Sequence, residues 1–140
     1  MPSTALSSRA SRVAVAVVVG VLAANVSPAM AAGLHSPSAG SPIGDWRTST
    51  QGIAQTVSFT KTGQVYGDSG CNRFTGGYTV KGSQIFIGPL AATLMACPDA
   101  QMTAETQFLT ALQSATNFRQ TPKALRLVTP TTTVTLRPAS

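Results

Sequence analysis

The chain is short of the residues on which most enzymes depend. Its 140 residues include one histidine, two cysteines, four acidic side chains and one tryptophan, and only 10% of the chain is charged. A single imidazole leaves His35 as the one ordinary candidate base for nucleophilic or acid/base work. One histidine with two cysteines also lacks the number and spacing of a structural zinc site. No cofactor is implied. What the chain does have is apolar: hydrophobic residues make up 43%, enough for a packed core and too many for a solvated, disordered polyelectrolyte. The length allows one domain once any targeting segment is removed.

The first segment reads as an export signal. Arg9 and Arg12 precede an uncharged apolar run over 13–24, and Ala29 and Ala31 place small residues where signal peptidase cuts. A signal peptide is therefore expected over 1–31, cleaved after Ala31. The run is well short of the ~20 residues that span a bilayer, so no transmembrane anchor is expected in the mature form. Cys71 is the first cysteine, which leaves no lipid acceptor at the cleavage point, and Ala10-Ser11 separates the two arginines, so a twin-arginine signal is absent. The expected product is soluble and secreted or periplasmic, with a flexible Gly/Ser/Pro-rich lead-in over 32–42 and a folded domain over 43–138. Losing two arginines lowers the formal charge from +6 to +4. The remaining cations are scattered in sequence without a basic run, so nucleic acid is not an expected partner. An envelope protein, polymer or lipid is.

From residue 43 the chain alternates short segments rich in Val, Ile, Phe, Tyr and Thr with glycine-containing turns. Strands are expected at 45–49, 55–60, 64–67, 73–80, 84–87, 92–95, 124–129 and 132–136, with Lys61-Thr62-Gly63 and Lys81-Gly82-Ser83 as hairpin turns. One stretch differs. After Pro98 and Asp99, Met102, Phe108, Leu109 and Leu112 recur at helical spacing among polar residues, predicting an amphipathic helix with Asp99 as its N-cap. The expected fold is mainly β (α+β), a compact barrel-like antiparallel sheet with one inserted helix near the C-terminal third. Phe74, Tyr78, Phe86 and Phe108 are expected in its core, and Trp46 could belong to the core or to a binding edge.

Gly67-Asp68-Ser69-Gly70 copies the surroundings of the chymotrypsin-like nucleophile, but such a serine needs an imidazole held by a buried carboxylate, and the one imidazole, His35, falls in the expected flexible lead-in close to the cleavage point. The same shortage counts against Cys71 or Cys97 as a nucleophile. A hydrolase using Ser69 or Cys71 is thus an alternative without a base. In an oxidising compartment the two cysteines are most economically one structural disulfide closing a 26-residue separation; two free thiols are the other reading.

Gly70-Cys71-Asn72-Arg73-Phe74-Thr75-Gly76-Gly77-Tyr78, then the segment 87–98 ending in Cys97-Pro98, then Glu105, Phe108 and Leu112, resembles the META-domain (HslJ-like) family. The resemblance runs from Trp46 to Leu136. It implies a compact β-rich barrel interrupted by a helix, exported or lipid-anchored, sometimes associated with stress or antibiotic tolerance, and without an established enzymatic activity. The motif residues it singles out are Trp46, Gly70, Asn72, Phe74, Gly76, Tyr78 and Pro98, all in structural roles. Two departures stand outside the motif: the connection between Trp46 and Val57 is short, and Thr131-Thr132-Thr133 replaces a polar glycine turn. A non-catalytic binding protein is the function expected, with a carrier of a small apolar ligand or lipid, held between helix and sheet, as the alternative.

Overall fold

A computed structural model describes residues 39–140. The expected signal peptide over 1–31 and His35 lie outside the described residues. Eight strands run in chain order: β1 (Gly44–Thr50), β2 (Ile53–Phe59), β3 (Gln64–Asp68), β4 (Arg73–Lys81), β5 (Gln84–Ala92), β6 (Asn117–Thr121), β7 (Ala124–Val128) and β8 (Thr133–Pro138). One helix, α1 (Asp99–Ser114), lies between β5 and β6. Each strand pairs antiparallel with the next, and β8 returns to β1 to close a barrel.

Period-2 alternation decides what faces inward. Trp46, Val57, Phe59, Val65, Phe74, Ile85, Ile87, Phe118, Leu125, Leu127 and Leu136 are buried, and α1 adds Ala104, Phe108 and Leu112. Phe108 and Leu112 thus occupy the space between helix and sheet. Edge-to-face contacts tie Phe74 to Phe108 at 6.0 Å and Phe59 to Tyr78 at 5.0 Å between ring centres. Trp46 belongs to the core, 5% exposed, with its indole N–H donating to the Pro42 carbonyl at 2.8 Å. Residues 39–42, at the end of the lead-in, touch the barrel: the Ala39 carbonyl accepts the Gln120 N–H, and Pro42 is buried.

The ring is unevenly sewn. β5 meets β6 at a single register pair, Gln84↔Asn117, and β1 meets β8 at two, Trp46↔Pro138 and Arg47↔Arg137. Along the rest of β5, α1 packs where a strand would otherwise lie, and the Gln113 side-chain oxygen accepts the Leu90 N–H at 3.2 Å.

Several expectations are corrected. Phe86 is 62% exposed, because Ile85 and Ile87 share the opposite parity and take the interior. The expected strand at 84–87 runs on to Ala92 as β5, and the expected strand at 92–95 is not formed: only Ala92 belongs to β5, and 93–95 lie in the loop before α1. β5 carries Gly88-Pro89 without breaking because the β4–β5 register shifts between Gly76 and Tyr78 at that level, a bulge that asks no ladder hydrogen bond of the proline. β6 was absent from the expected strands. Finally, Pro98 rather than Asp99 is the N-cap, with no side-chain capping bond; Asp99 is the acidic residue of the first turn, where the helix dipole favours it.

Candidate functional site

The motif residues converge on one turn. Between β3 and β4 the chain reverses over 69–72, with the Ser69 N–H donating to the Asn72 carbonyl at 2.9 Å. Asp68 shapes the turn by accepting the Gly70 N–H at 2.8 Å. Gly70 has φ of +96°, a region closed to most side chains, and a Cβ there would also strike Ile53. Gly76 is required for another reason: a Cβ would lie 2.7 Å from the Pro89 carbonyl oxygen.

Asn72 joins this turn to the loop 93–98. It is 4% exposed, and its carboxamide meets the backbone of Met95 as a strand neighbour would. Its side-chain oxygen accepts the Met95 N–H at 2.7 Å and the Thr93 hydroxyl at 2.8 Å, while its amide donates to the Met95 carbonyl at 3.3 Å. The Cys71–Cys97 disulfide, with Cα atoms 6.0 Å apart, clamps the same two segments a second time.

Glu105 supplies the third attachment. It projects from α1 as a half-buried carboxylate. One oxygen accepts the Asn72 N–H at 2.8 Å and the Ser69 hydroxyl; the other accepts the Asn72 side-chain amide at 3.1 Å. A fourth attachment comes from Gln55, which is 1% exposed. Its amide donates to the Ser69 carbonyl at 2.9 Å and the Ala104 carbonyl at 3.0 Å, and its oxygen accepts the Thr50 hydroxyl at 2.7 Å. Each buried side-chain polar atom among the described residues has a partner, as a low-dielectric network requires.

This brace unites Gly70, Cys71, Asn72, Cys97 and Pro98, and reaches Phe74 through Phe108. Trp46, Gly76 and Tyr78 lie elsewhere in the barrel. The Tyr78 hydroxyl donates to the Thr60 carbonyl, and burial raises its pKa above the ordinary tyrosine value. Ser69 is fully buried with its hydroxyl engaged, and both cysteines are consumed in the bridge. Among the described residues no three His, Cys, Asp or Glu side chains cluster as metal ligands would. Gln55 escaped the sequence reading, although it shares the inward parity of Val57 and Phe59 and so was the strand's one polar residue aimed at the core.

The loop that the brace holds carries exposed apolar side chains. Leu94 is 97% exposed and Met95 61%, and Met102, in the first turn of α1 that follows, is 47% exposed.

A closed eight-stranded antiparallel barrel, with one helix along β5 and a disulfide-linked glycine-cysteine-asparagine turn beneath that helix, defines a class of small single-helix barrel domains. The META-domain family model matches residues 43–140, and the chain belongs to that family. A solved structure described as the NMR structure of a protein from Burkholderia xenovorans is similar, with 27% identity and a TM-score of 0.57 over 69% of this chain and 82% of that one. A DUF4847-family protein from Bacteroides vulgatus shares the fold at 15% identity and a TM-score of 0.51, over 59% of this chain and 57% of that one. A third solved structure, determined by NMR, shares the fold at 20% identity and a TM-score of 0.56, over 70% of this chain and 91% of that one. A search of curated proteins finds no match.

Proposed function

We propose that this META-domain protein is exported and works as a non-catalytic binding domain, offering the loop 93–98 to a protein partner in the envelope or outside the cell. The observation that carries the reading is the exposure of Leu94, 97%, on a loop fastened from behind by Asn72 and the disulfide. An apolar anchor on a pre-ordered loop loses little conformational entropy when a partner covers it, and the exposed Met95 next to it in sequence is an adaptable contact residue. The serine and cysteines that a hydrolase would use are buried or bridged. The carrier alternative requires apolar space between helix and sheet, where Phe108 and Leu112 already stand.

The test has two arms. Intact-mass measurement of the product from the native host should give a chain beginning at Ala32. A photo-crosslinker placed at position 94 should then yield one dominant protein adduct in the native envelope, and Met95→Asp should abolish it while leaving the melting temperature unchanged. An adduct indifferent to Met95→Asp, or labelling of the wild type by a serine- or thiol-directed probe, would refute the reading.

A further inference from the structure

The eight cations of the expected mature chain are dispersed in sequence but not on the barrel. Lys61, Arg73, Lys81 and Lys123 lie at turns or strand ends, whereas Arg119, Arg126, Arg137 and Arg47 lie at exposed positions on β6, β7, β8 and β1, four strands that follow one another around the ring. Their parity is opposite to that of Phe118, Leu125, Leu127, Leu136 and Trp46, which point inward, so all four arginines share the outer face.

Their register makes the arrangement costly in isolation. Arg119 stands directly opposite Arg126, and Arg47 directly opposite Arg137; like charges in opposed positions destabilise a sheet. None of the four has an ion-pair partner among the described residues. Asp45 is the one acid on this face, and its carboxylate accepts the Ser58 hydroxyl on the β2 side. Asp68 and Glu105 are engaged in the brace, and Asp99 begins α1.

We propose that this arginine stripe binds a flexible, linear, phosphate-bearing polyanion that wraps across the outer face of β6, β7, β8 and β1. Three observations select that occupant. Guanidinium forks pair phosphate oxygens bidentately, and the stripe is made of arginine alone. Four neighbouring strands occupy three of the eight steps around the ring, about 135° of its circumference, so a planar membrane meets part of the stripe while a flexible chain follows all of it. No aromatic side chain points outward from these four strands, which removes the stacking platform that single-stranded nucleic acid uses. The stripe involves none of the residues of the loop 93–98, and it stands whatever that loop binds.

The test is binding of long-chain inorganic polyphosphate to the purified protein across a salt series. Four contacts give a slope of log affinity against log salt of about −2.8. Removing either opposed pair, as Arg119→Gln with Arg126→Gln or Arg47→Gln with Arg137→Gln, should bring the slope to about −1.4, a loss of roughly 60-fold at 50 mM salt relative to 1 M. Lys61→Gln with Lys123→Gln, which removes the same charge elsewhere, should leave the affinity within about twofold. Absent binding at 50 mM salt, or an equal loss in the lysine control, overturns the site. Tighter binding to phosphatidylglycerol vesicles, to single-stranded DNA or to polyglutamate overturns, respectively, the wrapped geometry, the exclusion of bases and the preference for phosphate. A position-94 crosslink that survives both arginine pairs separates failure here from failure of the loop.

Discussion

Glu105→Ala tests whether the brace holds the domain together. The carboxylate accepts three donors, and the substitution does not strand all of them. The Ser69 hydroxyl still has the Asn72 carbonyl at 2.7 Å. The Asn72 N–H can fall back on the Ser69 hydroxyl oxygen at 3.2 Å, and the Asn72 side-chain amide keeps the Met95 carbonyl. What is lost is the strength of two charge-assisted bonds on a nearly fully buried asparagine, about 1.5 kcal/mol each at the lower end of the range, or about 3 kcal/mol together. For a domain of about 100 residues that lowers the melting temperature by roughly 12 to 24 °C. Glu105→Gln restores one acceptor oxygen but turns an amide toward the Asn72 amide, so it should fall between, near 1.5 kcal/mol. Urea unfolding of the three proteins, with unchanged slopes, measures the differences. A Glu105→Ala protein within about 0.5 kcal/mol of wild type would refute the reasoning and return Glu105 to the ordinary surface of α1.

Cys97→Ser should lower stability by ~2–5 kcal/mol, the usual consequence of losing a bridge from a small domain. Amide exchange should quicken together in the turn 69–72 and the loop 93–98; two titratable thiols in the unreduced protein and an unchanged melting curve would contradict this. Tyr78→Phe should cost about 1 kcal/mol at neutral pH through the lost bond to Thr60. Because burial raises the folded-state pKa of Tyr78, the wild-type contribution is complete below the unfolded value near 10 and is lost as pH climbs through the folded one. Urea unfolding between pH 7 and 11 should show a shallower alkaline decline in Tyr78→Phe; an identical decline would refute the assignment.

The barrel was legible where local chemistry and tertiary structure agree. Leu125, Leu127 and Leu136 fall in the expected strands 124–129 and 132–136 and are buried, and the two hairpin turns at Lys61-Thr62-Gly63 and Lys81-Gly82-Ser83 fall where glycine allows them. It was illegible where a partner elsewhere in the chain decides. β6 has one buried apolar residue, Phe118, in five, and becomes a strand because β7 pairs along its whole length. Phe86 looked like core by size, yet two isoleucines of the other parity outweigh one phenylalanine. In the brace, the motif announced Cys71, Asn72 and Cys97, and the disulfide follows from their number. The attachments through Gln55 and Glu105 are contacts between residues 49 and 33 positions away from their partners in sequence, and no local pattern encodes such pairings.

The order of the strands has a kinetic consequence. Every ladder in the ring joins neighbours in sequence except the last, β1 with β8. Apart from β5 with β6, which close across α1, hairpins can therefore form one after another at small loop-closure cost, and the contacts that must wait for almost the whole domain are Trp46↔Pro138 and Arg47↔Arg137. The final residues of β8 carry the closing step, and until they dock, β1 presents an unpaired edge and Trp46 lacks one of its flanking strands. A folding chain of this shape is most exposed to wrong partners at the first strand of its barrel, and it is released from that risk only when the eighth strand docks.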